Sequence, residues 1–307
     1  MFEFVIRSIN TSNEKGTAKN PVDKAIIKKG LGIVADAHRG MKNREISLLS
    51  REEIDGFKPD LPDGSFGENF TIEGLDTSNI KLLDRMKLRD VVLEVSKIGK
   101  ECHDRCHIYH SMGDCIMPKK GFFVRVIRGG GIVRPGAKAQ YIPKTFKVAV
   151  ITLSDRASQG VYQDKSGELI TSQLQQYFAS SDRQVLIDKI VIPDSSLKLI
   201  SLFLKFIFKS YDIVMTTGGT GVSPKDITIG ITRLFVKKEI PGIAEFIRNK
   251  YGQHNRNALT SRSLVGVNGK TLIFCLPGSV KAVNEYLAEI IPMLNHLFSM
   301  VHDLDMH

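Results

Sequence analysis

The sequence lacks the features that mark membrane-spanning and secreted chains. It contains no uninterrupted apolar run of bilayer length, because the longest candidate, Leu197 to Phe208, is too short and carries Lys198 and Lys205. Its beginning, MFEFVIRSIN, has no basic segment followed by a long apolar core, as a secretory signal has. These absences predict a cytoplasmic protein with no membrane partner.

Signals for nucleic-acid binding are also missing. The net charge is +10, but the lysines are scattered over both halves rather than gathered in a basic block. The chain has no recognisable nucleic-acid motif and no aromatic residues interleaved along a basic stripe. We therefore expect no nucleic-acid partner. The surplus of positive charge is either a solvated surface or an attraction for small anions such as nucleotides.

Cysteine is scarce, which argues against a disulfide framework in a chain without a secretion signal. Of the four cysteines, Cys275 lies in the apolar run LIFCLPG and is expected to be inert core. The other three are close together, at Cys102, Cys106 and Cys115. Their spacing is not that of a common zinc module. A structural zinc and a reactive thiolate beside cations such as Lys100 therefore both remain open.

The two halves of the chain differ in texture, and 307 residues suffice for two domains. In residues 1–143, strand-length segments such as Val91 to Ile98 are separated by Gly, Pro, Asp and Asn clusters. This pattern predicts a mostly β, barrel-like domain. In residues 146–307, apolar strands such as Phe146 to Leu153 alternate with helices, which predicts an α/β domain with a largely parallel sheet. Tyr141 to Lys144 is the expected linker.

The most informative segment of the second half is TTGGTGVSPKDIT, from Thr216 to Thr228. It follows an apolar strand, and its closely spaced glycines let the backbone turn sharply and approach an anion. Loops after neighbouring strands would bring Asp194 near Asp226, and two carboxylates over a glycine floor suit Mg²⁺ carrying a triphosphate. The alternative is a purely structural role, in which Asp194, Ser195, Asp226 and Ser279 are helix caps. The loop does not match a Walker A sequence, so it does not by itself indicate ATP.

Six segments of the second half, taken in order, resemble a known family. They read ITLSDRASQGVYQDKSG, IPDS, TTGGTGVSPKDIT, KEIPGIAEFIR, ALTSRSLVGV and LPGSVKAV. This ordered set covers essentially all of 146–307 and resembles the MogA-like molybdopterin adenylyltransferases, whose eukaryotic relatives are the G domains of gephyrin and plant Cnx. The resemblance implies a three-layer α/β fold, usually a homotrimer. It also implies that MgATP adenylylates molybdopterin and that pyrophosphate is released.

The same resemblance implies the site residues. Asp194 and Asp226 match the family's two functionally important aspartates, so both are expected to be catalytic. We expect Asp226 to help bind Mg²⁺ and Asp194 to position the cation or the substrate phosphate. The other expected contacts to ATP or molybdopterin are Ser154, Asp155, Asp164, Ser166, Gly218, Gly219, Thr220, Gly221, Ser223, Glu245, Pro277, Gly278 and Ser279.

The first half resembles a second family. DAHRG, REISLLS, GSFGENFTIEGLD, IGKECH and GDCIMPKKGFFVRVIRGGGI are similar to segments of MOSC domains, over about residues 1–143. That family implies a β-barrel-like fold in which one cysteine carries sulfur or ligates the molybdenum of the cofactor. Cys102 best matches this catalytic cysteine and is the expected molybdenum ligand. The other residues expected in its pocket are His38, Arg39, Asn69, Cys106 and Cys115, with Arg44 as an anion contact.

Together the two resemblances predict an enzyme of molybdenum cofactor biosynthesis. The second domain would adenylylate molybdopterin, and the first would bind the cofactor or carry sulfur. Because no molybdate-insertion domain is apparent, a separate insertion enzyme is the expected partner. The alternative from a different class is a non-catalytic protein that binds or carries molybdopterin or the molybdenum cofactor.

Overall fold

The computed structural model describes residues 2–100 and 107–304. The chain divides into two compact units, one reaching Lys144 and the other spanning Thr145–Asp303. The predicted site residues Cys102 and Cys106 lie outside the described residues. None of the helices in these ranges combines the length and the hydropathy that a membrane span requires.

The first unit is built mainly of strands. Its strands are β1 (Phe2–Thr11), β2 (Asn20–Pro21), β3 (Ala25–Lys28), β4 (Gly32–Ile33), β5 (Ile46–Ser50), β6 (Phe70–Glu73), β7 (Arg85–Leu88), β8 (Val91–Ile98), β9 (Phe122–Arg128), β10 (Gly131–Val133) and β11 (Ala137–Ile142). Its helices are short, namely α1 (Arg51–Phe57), a 3₁₀ turn (Thr77–Asn79), α2 (His107–Met112) and α3 (Met117–Lys120).

Seven of the described strands close into a barrel. Their order is β11-β7-β8-β9-β5-β6-β1, and the ring closes because β1 pairs with both β6 and β11. All neighbours are antiparallel except β5 and β6, which run parallel. Ile6, Leu48, Phe70 and Leu93 are fully buried in the barrel core. The predicted β-barrel fold is confirmed.

The last barrel strand extends into the segment that we predicted to be linker. Strand β11 continues through Ile142, and Tyr141 is only 5% exposed. The Tyr141 hydroxyl donates a hydrogen bond to the buried Asp84 carboxylate. A buried aromatic ring with a satisfied hydroxyl stabilises the strand that carries it. The linker prediction was therefore wrong for these two residues.

The second unit alternates strands and helices. Its strands are β12 (Thr145–Leu153), β13 (Gln184–Ile192), β14 (Ile213–Thr217), β15 (Lys238–Glu239), β16 (Leu264–Asn268) and β17 (Thr271–Leu276). Its helices are α4 (Asp155–Ser158), α5 (Lys165–Ser180), α6 (Ser196–Phe208), α7 (Thr228–Arg233), α8 (Pro241–Gly252), α9 (Val280–Ile290) and α10 (Leu294–Val301), with 3₁₀ turns at Arg256–Thr260 and Ile291–Met293.

The described strands of this unit form one sheet in the order β13-β12-β14-β17-β16-β15. The first four strands are parallel, whereas β16 and β15 pair antiparallel at one edge. The predicted α/β fold with a largely parallel sheet is confirmed. Because the parallel strands end at the same edge, the loops after β12, β13, β14 and β17 gather there.

Helices cover both faces of the sheet. On one face, Ile151 of β12 packs in a cluster with Leu199 and Phe203 of α6. On the other face, the centroid of the Phe146 ring lies 4.9 Å from the ring centroid of Phe178 in α5 and 4.8 Å from that of Phe298 in α10. Alternate side chains of a strand point to opposite faces, so β12 is buried on both sides. Its run of apolar residues reflects this position.

Candidate functional site

A cleft of about 490 Å³ opens where the parallel strands of the second unit end. It brings together predicted residues from four separate loops. Those that line it are Ser154, Asp164, Ser166, Asp194, Gly218, Gly219, Asp226, Gly278 and Ser279. The sheet topology therefore assembles one site from residues that are far apart in sequence.

The glycine loop is shaped by two left-handed residues. Gly218 has φ +97° and Gly219 has φ +63°, conformations that residues with a Cβ rarely adopt. A Cβ on Gly218 would lie 2.3 Å from the Leu153 carbonyl oxygen, and one on Gly219 would lie 2.4 Å from Thr228 Oγ1. Glycine is therefore required here for both its backbone angle and its lack of volume.

The loop after β17 also packs closely against this glycine loop. A Cβ on Gly278 would lie 3.3 Å from the Gly218 Cα atom. The Thr228 hydroxyl donates to the Gly218 carbonyl at 2.8 Å, and Thr217 Oγ1 donates to the Pro277 carbonyl at 2.8 Å. The floor of the cleft is thus main chain without side chains, and hydrogen bonds from two threonine hydroxyls fix its position. Such a floor suits an anionic ligand that must come close to the main chain.

The carboxylates of Asp194 and Asp226 line this cleft, and Asp155 lies next to Asp194. The backbone N–H of Asp194 donates to Asp155 Oδ1 at 3.0 Å. Asp226 Oδ2 accepts the Ser223 N–H at 2.8 Å. Burial raises the pKa of the Asp194 carboxyl, and the negative charges of Asp155 and Asp226 raise it further. A hydrogen bond from the Asp155 backbone and the positive charge of Lys225 offset this rise only in part, so Asp194 is an acidic group that can attract a cation.

Neither aspartate proved to be a helix cap, the alternative that the sequence left open. Helix α6 is capped by Ser195, whose hydroxyl accepts the Lys198 N–H. Helix α7 begins at Thr228 after Ile227, with no side-chain cap. Ser279 does cap α9, accepting the Ala282 N–H at 3.2 Å. Asp194 and Asp226 are therefore not explained by helix capping.

Three predicted contacts use their polar atoms to build the walls. Asp164 caps α5 by accepting the Gly167 N–H at 2.8 Å, and its other oxygen accepts the Thr152 hydroxyl at 2.8 Å. The Ser166 hydroxyl donates to the Gly278 carbonyl at 2.8 Å. Ser154 caps α4 by accepting an N–H at 3.2 Å. These side chains fix the shape of the cleft.

The remaining predicted residues do not line the cleft. Asp155 contributes through its bond to Asp194, and Pro277 and Gly221 through the loops that they belong to. Thr220 is buried, and its carbonyl accepts the Arg262 N–H at 2.9 Å. Ser223 is exposed on the outer side of the loop, and Glu245 is exposed on α8. The structure therefore does not place Glu245 beside the glycine loop.

The cleft also contains residues that the sequence reasoning did not assign. Tyr162, Lys165 and Lys225 line it. The Tyr162 hydroxyl hydrogen-bonds with Ser154 Oγ at 2.8 Å, and the Arg156 guanidinium lies 5.4 Å from the Tyr162 ring centroid. The only signal was proximity in sequence, because Lys165 and Lys225 directly adjoin the predicted Asp164 and Asp226.

In the first unit, a smaller pocket of about 100 Å³ brings together His38, Asn69 and Cys115. Arg44 and Lys100 line it as well, so the pocket is basic around a thiol. The positive charge of these side chains would attract an anionic ligand. The pocket adjoins a separate apolar cluster that contains Phe66, Ile108, Met117 and Phe123.

The other predictions for this pocket had mixed outcomes. Arg39 is exposed and lies outside it, lining a separate surface recess with Lys15. Asn69 is a framework residue, since its amide donates to the Asn10 carbonyl at 3.1 Å and its oxygen accepts the Ser47 N–H at 3.1 Å. The assignments of Cys102 and Cys106, and the choice between zinc and a reactive thiolate, stay predictions.

A buried ion pair holds His38 at the pocket edge. Lys19 Nζ lies 2.7 Å from Asp36 Oδ1, and both side chains are almost fully buried. His38 Nδ1 lies 3.3 Å from Lys19 Nζ and 3.3 Å from Asp36 Oδ2. Burial alone would raise the pKa of Asp36, but hydrogen bonds from His38 and Lys19 outweigh it and hold the pKa well below its usual range. The imidazole is thus anchored to a charged pair.

The fold and the cleft of the second unit define a class, namely α/β domains that bind an anionic ligand at the carboxyl ends of parallel strands. Residues 149–296 match the family model described as a probable molybdopterin binding domain. A molybdopterin adenylyltransferase of Pyrococcus furiosus is 35% identical over 162 residues, which are 50% of this chain and 92% of that protein. The chain therefore belongs to this family of molybdopterin-binding domains.

Two further relatives show how much of the chain such matches cover. A molybdopterin adenylyltransferase of Helicobacter pylori is 32% identical over 167 residues, which are 52% of this chain and 89% of that protein. Gephyrin of Dictyostelium discoideum is 32% identical over 160 residues, but the match spans only 22% of gephyrin. Each of these alignments covers about half of the present chain.

The first unit matches a different family model. Residues 35–140 match the MOSC domain. The predicted fusion, with a MOSC domain first and a MogA-like domain second, is therefore confirmed.

Proposed function

We propose that the protein acts in molybdenum cofactor biosynthesis and that its second unit transfers an adenylyl group from ATP to molybdopterin. One observation carries the proposal: the Asp194 and Asp226 carboxylates line a cleft that has a glycine floor and that Lys165 and Lys225 also line. Carboxylates beside an anion site suit a nucleotide bound with a divalent cation. The adenylyltransferase relatives have the same kind of domain.

In this reaction an oxygen of the terminal phosphate of molybdopterin attacks the α-phosphorus of ATP. A new P–O bond forms, the bond to the bridging oxygen of the β-phosphate breaks, and pyrophosphate leaves. The protein's task is to hold two polyanions in line. The backbone around Gly218 and Gly219 would cradle phosphate oxygens, and Lys165 and Lys225 would offset their charge.

The acidic residues fit a Mg²⁺ ion shared with the substrate. Within the described residues, no group of three or more His, Cys, Asp or Glu side chains is placed to hold a metal. Asp194 and Asp226 would thus supply two ligands, and phosphate oxygens and water the rest, as is usual for Mg²⁺. When bound, the ion would neutralise the charge that develops on the phosphates. Burial raises the pKa of Asp194 most, and the ion's charge would relieve the further rise that repulsion from Asp155 and Asp226 causes.

For the first unit we propose that the basic pocket binds the molybdenum cofactor or carries its sulfur. Cys115 is the described cysteine in that pocket, and Cys102 keeps its assignment as the reactive cysteine from the MOSC resemblance. Retained loading in Cys102→Ser, with loss in Cys115→Ser, would move the role to Cys115. A separate enzyme would insert molybdate. We further propose a homotrimer, which light scattering would detect at three times the 34.2 kDa chain mass.

The adenylyl-transfer proposal is tested with purified protein, molybdopterin and MgATP. We expect pyrophosphate and adenylylated molybdopterin in equal amounts. Asp226→Asn should lower kcat/KM by roughly 100-fold, because a ligand of the cation is lost. Asp188→Asn is the matched control, since Asp188 is an exposed aspartate of β13 outside the cleft. Equal activity of wild type and Asp226→Asn would overturn the role of Asp226.

The same assay addresses the carrier alternative. A carrier would bind molybdopterin stoichiometrically and release no pyrophosphate when MgATP is added. That result with intact, folded protein would refute the adenylyltransferase function. Retained molybdopterin binding would then support a carrier.

A further inference from the structure

One arginine from outside the glycine loop holds the outer part of the loop at both ends. Arg262 lies between the 3₁₀ turn Arg256–Thr260 and strand β16. Its Nε donates to the Gly221 carbonyl at 2.7 Å, and its Nη2 donates to the Asp226 carbonyl at 2.8 Å. We infer that Arg262 is a positioning residue, which fixes the distance between Gly221 and Asp226 and thereby aims the Asp226 carboxylate.

The other bonds of this segment do not secure it to the rest of the domain. Asp226 Oδ2 accepts the Ser223 N–H, and the Asp226 N–H donates to the Ser223 carbonyl at 2.9 Å. Both bonds are internal to residues 221–226, where Ser223 and Lys225 are exposed. Within the described chain, the hydrogen bonds from this segment to residues beyond the loop are those of Arg262. Its position therefore depends on this side chain.

The chemistry of the contact is specific to arginine. A guanidinium is planar and directs several N–H donors from a rigid fork, so it can bridge two carbonyl oxygens at once. A lysine has one compact ammonium group and would reach one carbonyl well but not both in the same geometry. Arg262 is itself exposed. Its contribution therefore comes from these hydrogen bonds and not from burial in the core.

The backbone of the same residue adds a third contact. The Arg262 N–H donates to the carbonyl of buried Thr220 at 2.9 Å. This bond does not involve the side chain, so the variants keep its donor and its acceptor. A substitution at this position therefore tests the guanidinium alone. The role also rests on the proposed function of Asp226, so its test needs one readout that is independent of catalysis.

The kinetic test compares Arg262→Ala, Arg262→Lys and a control, Arg256→Ala, with MgATP as the varied substrate. Arg256 makes no hydrogen bond to the loop among the described residues. Loss of two charge-assisted bonds, partly replaced by water, should lower kcat/KM for MgATP by about tenfold in Arg262→Ala. Most of this change should appear in KM. Arg262→Lys should recover only part of it, and Arg256→Ala should behave as wild type.

Chemical rescue separates positioning from general damage. Because Arg262 is exposed, guanidinium ion at a concentration well below its denaturing range can occupy the vacated position in Arg262→Ala. We expect it to restore part of the lost activity there and none in Asp226→Asn. Wild-type KM in Arg262→Ala would overturn the inference. Lost activity that guanidinium does not restore, together with a lower melting temperature, would also overturn it, because it would show a structural role.

Hydrogen exchange supplies the readout that does not require catalysis. In Arg262→Ala the amides of Ser223 and Asp226 should exchange about tenfold faster, while those of β14 keep their wild-type protection. Unchanged loop exchange would refute the inference even if the wild type proves active. Conversely, if the wild type is inactive but Arg262→Ala shows the faster loop exchange, adenylyl transfer is refuted and the positioning role of Arg262 stands.

Discussion

The glycine loop offers a substitution whose cost can be worked out from distances. Gly219→Ala places a Cβ at φ +63°, and this atom would lie 2.4 Å from Thr228 Oγ1. The left-handed backbone costs a non-glycine residue about 1–2 kcal/mol. Moving the Thr228 hydroxyl aside also gives up its bond to the Gly218 carbonyl, which contributes about 1 kcal/mol. We therefore expect the free energy of unfolding of the second unit to fall by about 2–3 kcal/mol.

A double-mutant cycle separates the two contributions. Thr228→Ala removes the hydroxyl and makes room for the Cβ. In that variant, Gly219→Ala should lower the free energy of unfolding only by the cost of the left-handed backbone. The expected coupling between the two positions is thus about 1 kcal/mol. Hydrogen exchange of the β14 amides in the intact chain reports the opening free energy of this unit by itself.

Gly230 provides the matched control. It lies in α7, and a Cβ there would meet no atom within 4 Å. Gly230→Ala should therefore stabilise the helix by about 0.5–1 kcal/mol. If Gly219→Ala has the same cost with and without the Thr228 hydroxyl, the steric part of the reasoning is refuted. If Gly219→Ala costs no more than Gly230→Ala, the required left-handed conformation is refuted as well.

Two further predictions concern buried or repelling charges. Because the pKa of Asp194 is raised in the fold, its ionised form weakens the metal-free unit, and this cost disappears as pH falls through the raised pKa. Asp194→Asn should therefore melt higher than wild type at neutral pH without Mg²⁺, with the difference shrinking on acidification; a constant difference would contradict this. Asp36→Asn leaves Lys19 charged and buried, so calorimetry should show a loss of about 3–5 kcal/mol in the first unit. Lys19→Met combined with Asp36→Leu should recover much of it, and an equally damaging double variant would refute the ion-pair explanation.

Local patterns predicted the elements of the second unit well. The continuous apolar run from Phe146 to Leu153 corresponds to β12, because that strand is covered on both faces. In the first unit Val91–Ile98 is a strand with the predicted bounds. Barrel closure could not be deduced in the same way, since Phe2 pairs with Tyr141 across almost the whole unit. Such non-local pairing leaves no periodicity in either segment.

The site was predictable in its centre and less so at its margins. Their positions after strands were enough to predict that Asp194 and Asp226 lie in one cleft, because parallel strands bring the loops that follow them together. The sequence could not show that both Asp164 oxygens accept hydrogen bonds, one from the Gly167 N–H and one from the Thr152 hydroxyl. Those bonds depend on the exact path of the loop. Arg262 was inside a recognised segment, but only the folded loop shows which carbonyls its guanidinium reaches.

The aromatic residue in the wall of the cleft has a practical consequence. The chain contains no tryptophan, and Tyr162 lines the cleft with its hydroxyl bonded to Ser154. A tryptophan introduced at this position would be the sole indole of the protein, so its emission would originate at the cleft. Occupancy of the site could then be followed optically, in real time and in the intact two-domain chain.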